Sequence, residues 1–201
     1  MRTIEITAYQ FAELSDKAKQ KALETFRDIN TDDDFWFEHT LEDFDSICEC
    51  LGIDISKGRG RTGKAIYFSG FSSQGDGACF EGSYAYKNGA SKAIRDHAGL
   101  DKELHRIADD LQALQKANFY QLTAGIENRH RGYSISVDVN RYDDKAISEA
   151  TEDAVKELMN DLCSWLYKSL ESEYDYMTSD AAIIETIEAN EYEFDENGKR
   201  I

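Results

Sequence analysis

The chain has 201 residues, 41% hydrophobic and 31% charged, with Tyr 11, Phe 10 and Trp 2, which is one domain's length and too aromatic for a disordered tail. No run approaches the ~20 apolar residues of a membrane span, MRTIEITAYQ lacks a signal-peptide core, and four cysteines in such a chain read as free thiols; secreted miniprotein, membrane and fibrous classes are excluded. Asp and Glu number 40 against 23 Lys and Arg, net −17, and proline is absent, which rules out proline-rich linkers and prolyl isomerisation during folding.

In chain order, Arg2–Thr7 alternates Ile4 and Ile6 with polar neighbours and reads as a strand. Ser15 caps a helix expected over Asp16–Ile29, with Ala18, Ala22 and Phe26 on one stripe. Thr31 begins a second helix, with Asp32, Asp33 and Asp34 in its first turn and Phe37, Leu41, Phe44, Cys48 and Leu51 as its buried stripe; Gly52 closes it. The basic, Gly-rich Ser56–Lys64 is a loop. Ala65–Phe71 and Ala78–Tyr86 are aromatic strands joined by the turn Ser72–Gly77, a β-hairpin, and Asn88-Gly89 ends that unit. Leu100, Leu104, Ile107, Leu111 and Leu114 mark an amphipathic helix. Tyr120–Glu127 and Tyr133–Asn140 form a second hairpin around Asn128–Gly132. From Ser148 a long helix presents Ala154, Leu158, Leu162, Trp165 and Ser169, with Val155, Leu166 and Leu170 beside them. A further helix spans Ser179–Asn190, and Asn190–Ile201 is a short strand or tail. Strands and helices do not alternate strictly, so the fold class is α+β: an antiparallel sheet of two hairpins packed with acidic helices, the longest of them C-terminal.

Charge divides this single domain into three parts. Residues 1–56 hold 14 acids and 5 bases, residues 57–142 hold 9 and 13, and residues 143–201 hold 17 and 5. A mildly basic, sheet-rich middle therefore lies between two acidic, helical ends. The acids are either the solvated faces of ordinary helices or a surface that repels or imitates nucleic acid.

No catalytic pattern stands out. Gly58, Gly60, Gly63 and Lys64 suggest a phosphate loop, but Ala65 stands where a hydroxyl is required and the next element is a strand. The stretch is a solvated connection or an anion contact through Lys57, Arg59, Arg61 and Lys64. Cys48 and Cys50 point roughly 200° apart on a helix, which disfavours adjacent metal ligands, and Cys79 and Cys163 read as packing residues. His39, His97, His105 and His130 lack metal-ligand company. No metal, cofactor or nucleophile–base pair is legible, and the chain reads as no enzyme. Asp76, between two glycines and near Phe68, Phe71 and Phe80, is either a ligand-facing carboxylate or a turn residue.

Ile66–Tyr84 (IYFSGFSSQGDGACFEGSY), with Glu13–Leu23 upstream and Ile184–Lys199 downstream, resembles a group of bacteriophage and prophage accessory proteins, some described as an antitoxin of a toxin–antitoxin stability system. The resemblance implies a bacterial cytoplasm and a setting in which inhibitors of host defence, anti-restriction and anti-CRISPR proteins among them, are common. It supplies no catalytic residues.

The leading expectation is therefore a non-catalytic protein that inhibits a host defence or toxin protein through an acidic surface: Asp32, Asp33, Asp34, Glu38, Glu42, Asp43, Asp45, Glu185, Glu188, Glu191 and Glu193. Mimicry of DNA would need several acidic elements side by side. Residues 143–201 carry 17 acids in 59 residues, roughly one charge per 5 Å of helix against about one per 1.7 Å of duplex. The alternative is a sponge for a phosphorylated nucleotide, held by Arg59, Arg61, Lys64, Asp76, Arg129 and Arg131 with Tyr67, Phe71 and Tyr84 stacking on its base. Neither reading involves a membrane or direct nucleic-acid binding. The face of Leu158, Leu162 and Trp165 either packs internally or forms a homodimer.

Overall fold

The computed structural model describes residues 7–33, 35–59, 62–128 and 132–201. All strand pairing among them is antiparallel, and the fold is α+β, with a long helix in its C-terminal third. The chain separates into two compact units, residues 1–37 with 172–201, and residues 38–171. The charge boundaries at 56/57 and 142/143 both fall inside the second.

In the first unit β1 (Tyr9–Gln10) leads through a 3-10 turn, Phe11–Glu13, into α1 (Asp16–Thr25). The strand expected over Arg2–Thr7 lies outside the described residues except for Thr7, which is not in a strand. Ser15 caps α1 as expected, its hydroxyl accepting from the Ala18 amide at 3.3 Å. The helix stops at Thr25, four residues short of expectation, because the residues after it are committed to tertiary contacts. Phe26 packs on the rings of Tyr192 and Phe194, Arg27 donates to the Thr178 carbonyl at 2.9 Å, and the Asn30 amide donates to the Met177 carbonyl at 3.0 Å. Phe11, Leu14, Ala18, Ala22, Ile183, Ile187 and Phe194 form the core of this unit.

The second unit opens with α2 (Glu38–Leu51). Thr31 does not start this helix, and Asp32 and Asp33 precede it. The Asp33 side chain accepts from the Phe35 amide at 3.1 Å, a local turn that competes with helix, so Glu38 is the first-turn acid. Leu41, Phe44, Cys48 and Leu51 are buried as expected, and Gly52 closes the helix at φ +86°, where a Cβ would be strained. β2 (Ile53–Ile55) comes next, then the hairpin β3 (Ile66–Ser69) and β4 (Gly77–Phe80). The single strand expected over 78–86 is two strands. At Glu81 the chain leaves the hairpin, its amide donating to Ala65 and its carbonyl accepting from Ser56, and β5 (Gly82–Ala85) joins the main sheet. α3 (Ala90–His97) is not among the expected elements, since its one turn-to-turn apolar signal is Ala90, Ala93 and Ile94.

α4 (Lys102–Ala117) buries Leu104, Ile107, Ala108, Leu111 and Gln115. Leu100 falls outside it and is 97% exposed; the cap is Asp101, whose carboxylate accepts from the Leu104 amide. β6 (Leu122–Asn128) and β7 (Ile135–Arg141) complete a four-stranded sheet in the order β2-β5-β6-β7. Its inner face buries Ile53, Tyr84, Ala124 and Val139, whereas Asp54, Ser83, Gly125 and Asp138 form one exposed row across all four strands. α5 (Glu149–Met177) gives residues to both units; its buried stripe is Val155, Leu158, Met159, Leu162, Cys163, Leu166 and Leu170, with Ala154, Trp165 and Ser169 at the margin. Leu158 and Leu162 are thus covered by their own chain. α6 (Asp180–Ala189), capped by Ser179, and β8 (Glu193–Phe194), paired with β1, return to the first unit.

Among the described residues of the second unit, one polar side chain is buried. Gln115, 1% exposed, accepts from the Leu122 amide at 3.2 Å and donates to the Leu122 carbonyl at 2.8 Å and to the Tyr84 hydroxyl at 3.2 Å. Gln115→Leu keeps the volume but leaves those groups unpaired, and urea denaturation should show a loss of about 2–4 kcal/mol. Just beyond, Phe119 and Tyr120 hold φ of +56° and +60°. Phe119→Gly should raise stability by about 1 kcal/mol in the same assay, since a left-handed conformation costs roughly that much with a Cβ and the ring is already 76% exposed.

Candidate acidic groove

α4 and α5 run antiparallel within the second unit. Asp101 accepts from the Trp165 indole at 2.8 Å at one end, and Arg106 meets Asp161 at 2.5 Å one turn further along. Beyond Arg106 the helices leave an open groove of about 330 Å³, floored by Ala113, Leu114, Ala154 and Leu158 and rimmed by Asp110, Glu157 and Asp161. Arg106 is the one cation in that lining. Its guanidinium donates to Glu103 at 2.8 Å, Asp110 at 3.2 Å and Asp161, and the Glu103 and Asp161 bonds hold its pKa above the ordinary arginine value. Three carboxylates on one guanidinium, with Glu157 alongside, leave the groove negative. Along α5 the rim continues as Glu149, Asp153, Glu157 and Asp161, each four residues from the last and so about 6 Å apart along the axis.

The acids expected to form one surface are divided between the units. Asp32, Asp33, Glu185, Glu188, Glu191 and Glu193 are exposed and belong to the first; Asp34 lies outside the described residues. Glu38, Glu42, Asp43 and Asp45 belong to the second, and two of them are already occupied. Asp43 bonds His97 at 2.7 Å and Asp45 pairs with Lys64 at 3.1 Å, so this strip is not an open anionic face. Glu42 is exposed and lies 3.9 Å from His39. The rim on α4 and α5 was missed, although Glu149, Asp153, Glu157 and Asp161 recur at helical spacing; the part of Asp110 and Arg106 depends on two helices meeting across the chain.

Arg61, Arg129 and Arg131 lie outside the described residues, Arg59 is exposed, and Lys64 is bound to Asp45. The Tyr67 hydroxyl donates to Glu81 at 3.4 Å, and the Phe71 ring packs on Tyr167. Asp76 serves its own turn: its carboxylate accepts from the amides of Ser72 at 3.0 Å and Ser73 at 2.6 Å and from the Ser69 hydroxyl at 3.3 Å.

A family model described as a domain of unknown function, DUF8835, matches residues 36–180, which include the whole groove. No curated protein matches the chain. No solved structure matches it. Among the described residues no helix is long and apolar enough to cross a membrane, and no group of three or more His, Cys, Asp or Glu side chains is placed to hold a metal ion.

Three thiols are buried. Burial pushes Cys79 up to about 11, with the Glu81 charge adding to it, and Cys163 up to about 12; burial followed by the Asp45 charge raises Cys48 well above the ordinary thiol value. Raised values mean fewer thiolates, so these three thiols stay protonated at pH 8. Ellman's reagent at that pH should modify half-buried Cys50 first and reach Cys48, Cys79 and Cys163 only on unfolding. Rapid loss of two or more native thiols would contradict this.

Proposed function

This chain belongs to the DUF8835 family, and we propose that it acts as a non-catalytic binding protein that captures an Arg- or Lys-rich segment of another protein in the α4–α5 groove. The observation that carries this reading is Arg106. One guanidinium already fits among Glu103, Asp110 and Asp161, and with Glu157 the carboxylates outnumber it, so negative charge is left over for a partner's cation. The apolar floor of Leu114, Leu158, Ala113 and Ala154 accommodates the aliphatic stem of an arginine or an adjacent small apolar residue. These carboxylates are half exposed, and exposed ion pairs contribute only about 0.2–1 kcal/mol each, so folding alone gives little reason to gather them.

The net charge of −17 adds long-range attraction for a basic partner and repels nucleic acid. Taken with the resemblance to phage accessory proteins, this favours a host defence or toxin protein as target, in a bacterial cytoplasm. Carboxylates about 6 Å apart are sparser than duplex phosphates, which favours capture of a protein segment over imitation of DNA. The nucleotide-sponge alternative has less support, because Lys64, Tyr67, Phe71 and Asp76 are all engaged within the chain.

The test is a titration of the full chain with a synthetic amphipathic peptide rich in arginine, beside the same peptide with glutamate for arginine. Micromolar binding of the first alone, weakened at least tenfold by Asp110→Lys with Glu157→Lys and by about 0.5 M salt, is expected. Equal binding of both peptides, or no effect of the reversals, would overturn the proposal. A partner pulled down from bacterial lysate should show the same dependence on the two carboxylates.

A further inference from the structure

A second cavity, of about 400 Å³, lies elsewhere in the second unit, where the β3–β4 hairpin and the residues leading into β7 meet the middle of α5. We propose that it is a binding site for a small planar ring carrying one anionic group. Its floor is apolar, made by Ala78 and Cys163, and its walls include the rings of Tyr133 and Tyr167. Gly77 keeps the hairpin close: a Cβ there would stand 2.9 Å from the Cβ of Tyr133. The volume falls in the usual range for small-molecule sites, about 300–1,000 Å³, and walls of this kind select a flat ligand.

Four of the polar side chains at the cavity are uncommitted. Tyr133, Ser134, Tyr167 and Lys168 make no hydrogen bond or ion pair among the described residues. Ser164 is different, its hydroxyl donating to the Asn160 carbonyl at 3.0 Å. The Asp76 carboxylate, also at the wall, already accepts from three donors of its own turn. Burial, with the charges of Glu171 and Asp76, raises the Tyr167 phenol, which therefore stays protonated and able to donate. Two phenols, a serine hydroxyl and a free ammonium thus face a cavity whose one carboxylate keeps its charge but has its acceptor sites filled by its own turn. An excess of donors, with Lys168 offsetting the Asp76 charge, matches a ligand that brings a strong acceptor such as a carboxylate, sulfate or phosphate.

The experiment is calorimetry of the full chain with two matched pairs of probes, indole-3-acetate against indole and AMP against adenosine. At least one anion should bind tenfold or more tightly than its neutral counterpart, and the pair that responds distinguishes a carboxylate from a nucleotide phosphate. Lys168→Met, at an exposed position, should reduce that anion to the level of its neutral partner. Gly77→Ala should weaken both members of the pair tenfold or more, with the circular dichroism spectrum unchanged. Binding of neither anion below about 1 mM, equal affinity within both pairs, or indifference to Lys168→Met would overturn the proposal.

Discussion

Gln115 fixes where α4 lies, and much of the second unit depends on that placement. Its amide satisfies both backbone groups of Leu122 and the hydroxyl of Tyr84, so one side chain joins a helix to two strands in a place water does not reach. Leaving such groups unpaired costs about 1–3 kcal/mol each, several times what the exposed ion pairs around Arg95 and Arg106 contribute. The ion pairs therefore adjust a position that the buried amide and the apolar stripe have already set. Nine residues before Gln115, roughly 180° around the helix, stands Arg106. Seating Gln115 against the sheet turns Arg106 and its carboxylates outward, and the groove beside α5 results from that register.

The elements legible in the sequence were those with a clean local signal. The stripe of α2, the alternation of β7 and the Ser15 cap each depend on residues within a few positions of one another. The departures occur where a distant partner competes with a local preference. Asp33 could begin a helix but forms its own turn before Trp36, which packs on Tyr174. Residues 78–86 look like one strand, yet Glu81 bonds back to Ala65 while Gly82–Ala85 pair with β2 and β6, and no spacing rule marks that change of sheet. Leu100 continues the apolar rhythm of α4 but precedes the Asp101 cap, so it has no helix to place it inside.

Charge shows the same division between what is local and what is not. The total was readable at once; which acids remain free was not. Asp43 is 54 residues from His97, and Arg106 is 55 from Asp161, so which acids are paired depends on the tertiary fold. The strip 38–45, dense in sequence, is half occupied. The less conspicuous acids of α5 form the longer row, because four-residue spacing keeps Glu149, Asp153, Glu157 and Asp161 near one line while their neighbours turn inward.

That row is costly for the helix that carries it. Like charges at four-residue spacing destabilise an α-helix by about 0.2–0.5 kcal/mol per pair. Along α5 the described offsets are few: Lys156 answers Glu152 within the helix, and Arg106 reaches Asp161 from α4. The repulsion is tolerable because α5 is anchored by a buried apolar stripe from Val155 to Leu170, which stabilises it independently of its wet face. A helix held from one side can carry unfavourable charge on the other. The same division of labour lets one short segment of α5 serve both cavities, with Asp161 on the rim of the acidic groove and Cys163 on the floor of the aromatic one.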